Sequence, residues 1–148
     1  MILKTTAVIV VFVILKWLWV TISTMGHGTL EGERTEILRR RNYLTNKLLS
    51  SPEGVLNEMP GGIGSQFQGE WAMYSCSMLS AALANISIIY PDEREKSVEQ
   101  IDRLIEIVMS PELREYDAAR WDEDPLESWD SKKSHMSYLS ILAWMISG

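Results

Sequence analysis

Residues 71–90 read WAMYSCSMLSAALANISIIY, twenty positions without a charged side chain but carrying Ser75, Ser77, Ser80, Asn85 and Ser87. Two readings compete for such a stretch. As a membrane span it has the length and the aromatic ends, but its hydroxyls and amide would be costly in lipid unless they found partners. As a helix buried on most sides within a helical domain, its small residues Ala81, Ala82 and Ala84 permit close approach of neighbours. The second reading is preferred, and it makes the chain all-α.

Working outward, Pro91-Asp92 opens an amphipathic helix over residues 92–109, with Val98, Ile101, Leu104, Ile105 and Val108 at helical spacing and charges opposite. Ser110-Pro111 restarts the chain in a further helix to about residue 119, proline being tolerated at the first helical position. An acidic loop follows. Residues 134–147, SHMSYLSILAWMIS, close the chain as a second nearly uncharged helix.

Toward the amino terminus, residues 50–68 contain Ser50-Ser51-Pro52 and Met59-Pro60-Gly61-Gly62-Ile63-Gly64, composition that reads as a long loop without regular helix. The glycines lack the lysine of a P-loop and the preceding strand of a dinucleotide fold, so a plain turn is expected there. Residues 30–49 place Glu31, Glu33 and Glu36 early and Lys47 late, matching the helix dipole, with Ile37, Leu44 and Leu48 along one side. Residues 7–22, AVIVVFVILKWLWVTI, resemble a membrane span in which Lys16 snorkels toward the headgroups and Trp17 and Trp19 sit at that level. A signal peptide is the rival reading, but no convincing small-x-small cleavage site follows, so an uncleaved single-pass anchor is expected. Arg34 and the run Arg39-Arg40-Arg41 outweigh Lys4, which favours a cytoplasmic main domain; long domains translocate regardless, so the side stays open.

The expected organisation is therefore an N-terminal transmembrane helix or signal peptide over residues 1–26, an amphipathic helix with a Gly/Pro-rich loop over 27–69, and a helical-hairpin domain over 70–148. A net charge of −6 disfavours a nucleic-acid groove, which needs a surplus of Lys and Arg on one face. Cys76 is the only cysteine, so neither an intramolecular disulfide nor a thiolate metal site within one chain is available. No cofactor and no metal site are expected.

Residues 116–130, YDAARWDEDPLESWD, gather six carboxylates and two tryptophans, with His135 just beyond. Paired carboxylates beside aromatic platforms suit sugar chemistry, one acid protonating a leaving oxygen and another acting as base or nucleophile. On that reading Glu70, Asp117, Asp122, Asp124 and His135 are the catalytic candidates, and Tyr116, Trp121 and Trp129 the binding candidates. The plainer alternative has Asp122, Glu123 and Asp124 capping or solvating a loop, the tryptophans folded on the core and His135 capping its helix. Glu70 is explained as a carboxylate favoured at a helix start. Cys76 is read as a buried, inert thiol.

The segments at 68–90, 116–126 and 135–144 resemble the helical-hairpin repeats of the α/α-toroid superfamily, the group that includes linalool dehydratase/isomerase-like proteins and many sugar-processing enzymes. The resemblance covers the C-terminal half. It implies one complete hairpin and an inner helix without its outer partner, where a full ring closes about six hairpins, and it carries no substrate. The leading functional expectation is a membrane-anchored interaction or subunit module, attached through residues 5–25 and engaged with a protein partner or with itself. The alternatives are a toroid-type enzyme fragment acting on a carbohydrate or similar polar substrate, and a two-span membrane protein with an acidic tail.

Overall fold

A computed structural model describes residues 14–16, 30–128 and 130–147, and every regular element among them is helical. The expected anchor at 1–26 lies outside the described residues except for 14–16, which are helical, and Trp129 also lies outside them. Six α-helices follow: α1 Leu30–Leu48, α2 Pro52–Glu58, α3 Ser65–Ile89, α4 Arg94–Val108, α5 Pro111–Trp121 and α6 Met136–Ser147. The chain divides into two compact units, residues 1–40 and 41–148. In the first, Arg39 and Arg40 both hydrogen-bond Glu36, and these bonds hold its carboxyl down to about 2. In the second, the buried Arg41 guanidinium meets Glu93 at 2.6 Å and lowers its pKa, so the arginine run is engaged pairwise.

The second unit is built around α3, which packs against α4, α5 and α6. Its covered side is Gly69, Ala72, Met73, Cys76, Leu79, Leu83 and Ile86, a stripe at three- and four-residue steps. Leu104, Ile107 and Val108 of α4, Leu113 and Tyr116 of α5, and Tyr138, Ile141, Leu142 and Met145 of α6 join the core, with Leu48 of α1 and Val55 of α2. Two serines of α3 find partners without leaving the helix, and Ser75 Oγ reaches Met59 Sδ at 3.8 Å. Ser77 Oγ donates to the Tyr74 carbonyl at 2.8 Å and Ser87 Oγ to that of Ala84 at 2.7 Å, so these two hydroxyls are satisfied by the helix itself.

Two expectations change. Residues 50–68 are mostly helical and not a long loop: Ser51 caps α2 by accepting from the Gly54 amide at 3.0 Å, and Pro52 sits at a position where its missing N–H breaks nothing. The irregular part shrinks to a 3-10 turn at Gly61–Ile63 and Gly64, whose φ of +86° is a conformation that glycine adopts without strain. Moreover, α3 is not buried on most sides. Phe67, Trp71, Tyr74, Met78, Ile88 and Ile89 are exposed along its outer face. Among the described residues it is the one helix long and apolar enough to cross a membrane, with 44% of its most apolar window buried inside the fold.

The α3–α5 contact is close because position 69 is glycine. A Cβ there would lie 2.7 Å from Tyr116 Cβ and 2.8 Å from its Cδ1. Gly69→Ala is therefore expected to lose about 1–3 kcal/mol of stability despite alanine's better helix propensity, as in overpacked cores. Chemical unfolding followed by circular dichroism tests this, and a stabilised variant would show that α3 and α5 are not locked together.

Candidate functional site

The acidic stretch folds back on itself because α5 ends abruptly. Asp122 adopts the left-handed region at φ 55°, ψ 38°, and its backbone N–H donates to the Ala118 carbonyl. Two residues later Asp124 accepts the Leu126 amide at 2.9 Å and the Arg114 guanidinium at 2.6 Å. Burial would push the Asp124 pKa up, but these two bonds outweigh it and the net shift is downward. Arg114 also donates to the Met109 carbonyl, so the loop is tied to both ends of α5, and the buried Pro125 sits inside it.

His135, 4% exposed, lies at the far end of this loop between two carboxylates. Its Nδ1 donates to Oδ2 of the fully buried Asp117, and its Nε2 meets Glu123 Oε1 at 3.0 Å. Ser137 Oγ donates to the other oxygen of Asp117 at 3.3 Å, Ser131 Oγ donates to Glu123 Oε1, and Lys133 Nζ stands 3.5 Å from Glu123 Oε2. Lys133 additionally donates to the Trp121 carbonyl. The cluster sets two carboxylates against one imidazole and one ammonium, so acidic groups meet basic ones. It fastens the end of α5, the loop and the start of α6.

The electrostatics follow from those contacts. Burial by itself would push the His135 pKa down; the bonds to Asp117 and Glu123 outweigh it and leave it above the ordinary 6.5. Glu123 is held below the usual carboxylate range, first by the Ser131 hydroxyl and next by His135. With a carboxylate oxygen on each ring nitrogen, neither nitrogen is open to a nucleophile's proton or to a metal while this arrangement holds.

The sequence candidates are thus distributed unevenly. Asp117 and His135 come together, with Tyr116 and Trp121 beside them: Trp121 meets the His135 ring edge-on at 6.3 Å between centroids. The buried Tyr116 hydroxyl turns away toward Met73 Sδ at 3.3 Å, and burial followed by the Asp117 charge raises its pKa. Asp124 is committed to Arg114, and Asp122 points its exposed side chain outward from the α5 terminus. Glu70 stands well inside α3, which begins at Ser65, so the favourable dipole of a helix start does not account for it. His135 receives the amides of Tyr138 and Leu139 on its backbone carbonyl, while its side chain serves the carboxylates and caps no helix.

Ser131, Lys133 and Ser137 escaped the sequence reading; the only signal was their closeness to His135 within SKKSHMS. Cys76 is fully buried, and burial pushes its thiol up to about 12. Among the described residues, no group of three or more His, Cys, Asp or Glu side chains could hold a metal ion.

A second feature of this unit is apolar. A groove of about 510 Å³ runs beside the exposed face of α3, lined by Tyr43, Leu44 and Met59 on one side and Trp71, Tyr74 and Met78 on the other. Only the Lys47–Glu58 ion pair, at 2.8 Å, brings charge to its rim. Compared with known proteins, the chain matches no family model, no curated protein and no solved structure.

Proposed function

We propose that this chain is a membrane-tethered helical module that works by association and not by catalysis. The observation that carries the reading is the uncharged aromatic face of α3, left bare along Phe67, Trp71, Tyr74 and Met78. Bare apolar surface beyond a few hundred Å² normally marks a contact site. Tethering is supported by the apolar run at residues 7–22, read as a single-pass anchor. The polar groups support the same conclusion from the other side. Asp117 and Glu123 each bind a nitrogen of one imidazole, and Asp124 is taken by Arg114, so those carboxylates are not free to act on a sugar.

Architecturally we read α3 and α4 as a helical hairpin of α/α-toroid type, with α6 as a further inner helix. What supports it is the succession of a nearly uncharged helix, an amphipathic one and a further uncharged one in mutual contact. In a closed ring the bare side of an inner helix meets its neighbour, which agrees with an association role for α3.

A photoreactive phenylalanine analogue at Tyr74 of the full-length chain in its native membrane tests the reading. Adducts to protein are the expected result. Adducts to lipid alone would replace it with the two-span reading, in which α3 faces acyl chains.

A further inference from the structure

Building on the proposed association role, we infer that the occupant of the α3 face is a second copy of this chain, packed α3 against α3 in parallel about a two-fold axis. The face follows a period that helix pairs use. Phe67, Trp71, Tyr74, Met78, Ala81, Asn85 and Ile88 succeed one another at steps of four and three, so Trp71, Met78 and Asn85 occupy one seam position and the others the alternate one. All are exposed except Ala81, which is half-buried. Over the 22 positions from Phe67 to Ile88 this seam drifts by only ~20° per heptad around a straight helix, so it keeps largely to one side, which scattered surface hydrophobes would not do.

Size is the next consideration. Trp71, Met78 and Ile88 are 58%, 66% and 75% exposed. With ~150–250 Å² carried by each aromatic, the face and the neighbouring Tyr43 and Leu44 expose on the order of 900 Å². That exceeds the ~300–600 Å² of the largest patch on a typical monomer and is near the ~800 Å² that each partner gives to a standard interface.

Chemistry then selects the partner. Asn85 stands between the apolar seam residues Ala81 and Ile88, where contact with acyl chains would leave its amide without hydrogen-bond partners. The helix also has no Lys or Arg anywhere in residues 65–89 to meet anionic headgroups. In a parallel pair each seam layer faces its own copy, so the two Asn85 amides lie across the axis and satisfy each other, which also fixes register and direction. Ala81 and Ala82 beside them allow the backbones to approach. Beyond Glu70 the face carries no charge, so two chains of net charge −6 meet there without like charges in contact.

The full-length chain carrying Asn85→Cys, in detergent and after reconstitution into phosphatidylcholine vesicles, provides the test. Cys76 stays in place because its thiol is buried and unreactive. Under mild oxidation a disulfide-linked dimer is expected, at least ten times more abundant than for Glu99→Cys on the exposed side of α4, and Trp71→Glu combined with Met78→Glu is expected to return the chain to a monomer by sedimentation. Equal cross-linking at the two positions would overturn the seam. A monomer whose Asn85→Cys thiol resists maleimide in native membranes would overturn the second copy while leaving the association role, because something else covers the face. A monomer whose thiol labels freely there would overturn both.

Discussion

His135→Ala is expected to lower the unfolding free energy by about 3–5 kcal/mol, the usual cost of removing one partner from a buried charge pair. The reason lies in what remains: Asp117 is fully buried, and without the imidazolium its carboxylate keeps only the 3.3 Å bond from Ser137. Against a total stability of ~5–15 kcal/mol for an ordinary domain, that loss unfolds a large share of the molecules near their melting temperature. Ser137→Ala serves as the control and should cost about 1 kcal/mol, since it removes one hydrogen bond and leaves the ion pair. Asp117→Ala and the double variant complete a cycle. A coupling energy of about 2–3 kcal/mol between positions 117 and 135 is expected, as for residues sharing one network. Chemical unfolding monitored by circular dichroism supplies all four values. Near-additivity, or a His135→Ala loss under about 1 kcal/mol, would mean that the two side chains do not hold one another and that the histidine is available for other work.

The parts of the fold that were legible in the sequence are those where polarity alternates with helical period. The amphipathic pattern of α4 is the clearest case, and even there the inward register differs by one residue. Ser97 is buried and Val98 exposed, because 97, 101, 104 and 108 form the stripe and 98 lies about 100° away from it. The helix α2 was hidden by reading Pro52 as a breaker, although Ser51-Pro52-Glu53 is a start signal with cap, first-position proline and early acid. For α3, apolar residues on all sides identify a helix but carry no information on which side the neighbours cover. Apolar side chains stand both on the Met73–Cys76 side and on the Trp71–Met78 side. The cluster at Asp117, Glu123 and His135 joins residues up to 18 positions apart across an irregular loop. No periodicity links them, so composition suggested carboxylates near a histidine without saying that the two acids would occupy both of its nitrogens.

The stability of the second unit should consequently peak in mildly acidic solution and fall on both sides. His135 has its folded pKa raised, so its contribution is complete below the unfolded value of about 6.5 and is lost as pH climbs through the folded value. Glu123 and Asp124 have theirs lowered, so their contributions are complete above the ordinary carboxylate values and are lost as pH falls through the folded ones. The maximum thus lies between roughly pH 4.5 and 6.5, with an alkaline limb owed to the imidazole and an acid limb owed to the carboxylates. Asp117, Glu123 and Lys133 are the charged groups gathered around the imidazole, so the limbs report the cluster and not the surface at large. His135→Gln separates the two. A neutral amide keeps hydrogen-bonding capacity but cannot titrate, so the variant should be less stable overall and lose the decline between pH 6.5 and 8, while the acid limb persists. Melting temperatures across pH 3–9 for both proteins measure it. A wild-type chain as stable at pH 8 as at pH 6, or an alkaline decline that survives in His135→Gln, would show that the imidazole is not held as the cation between its two acids.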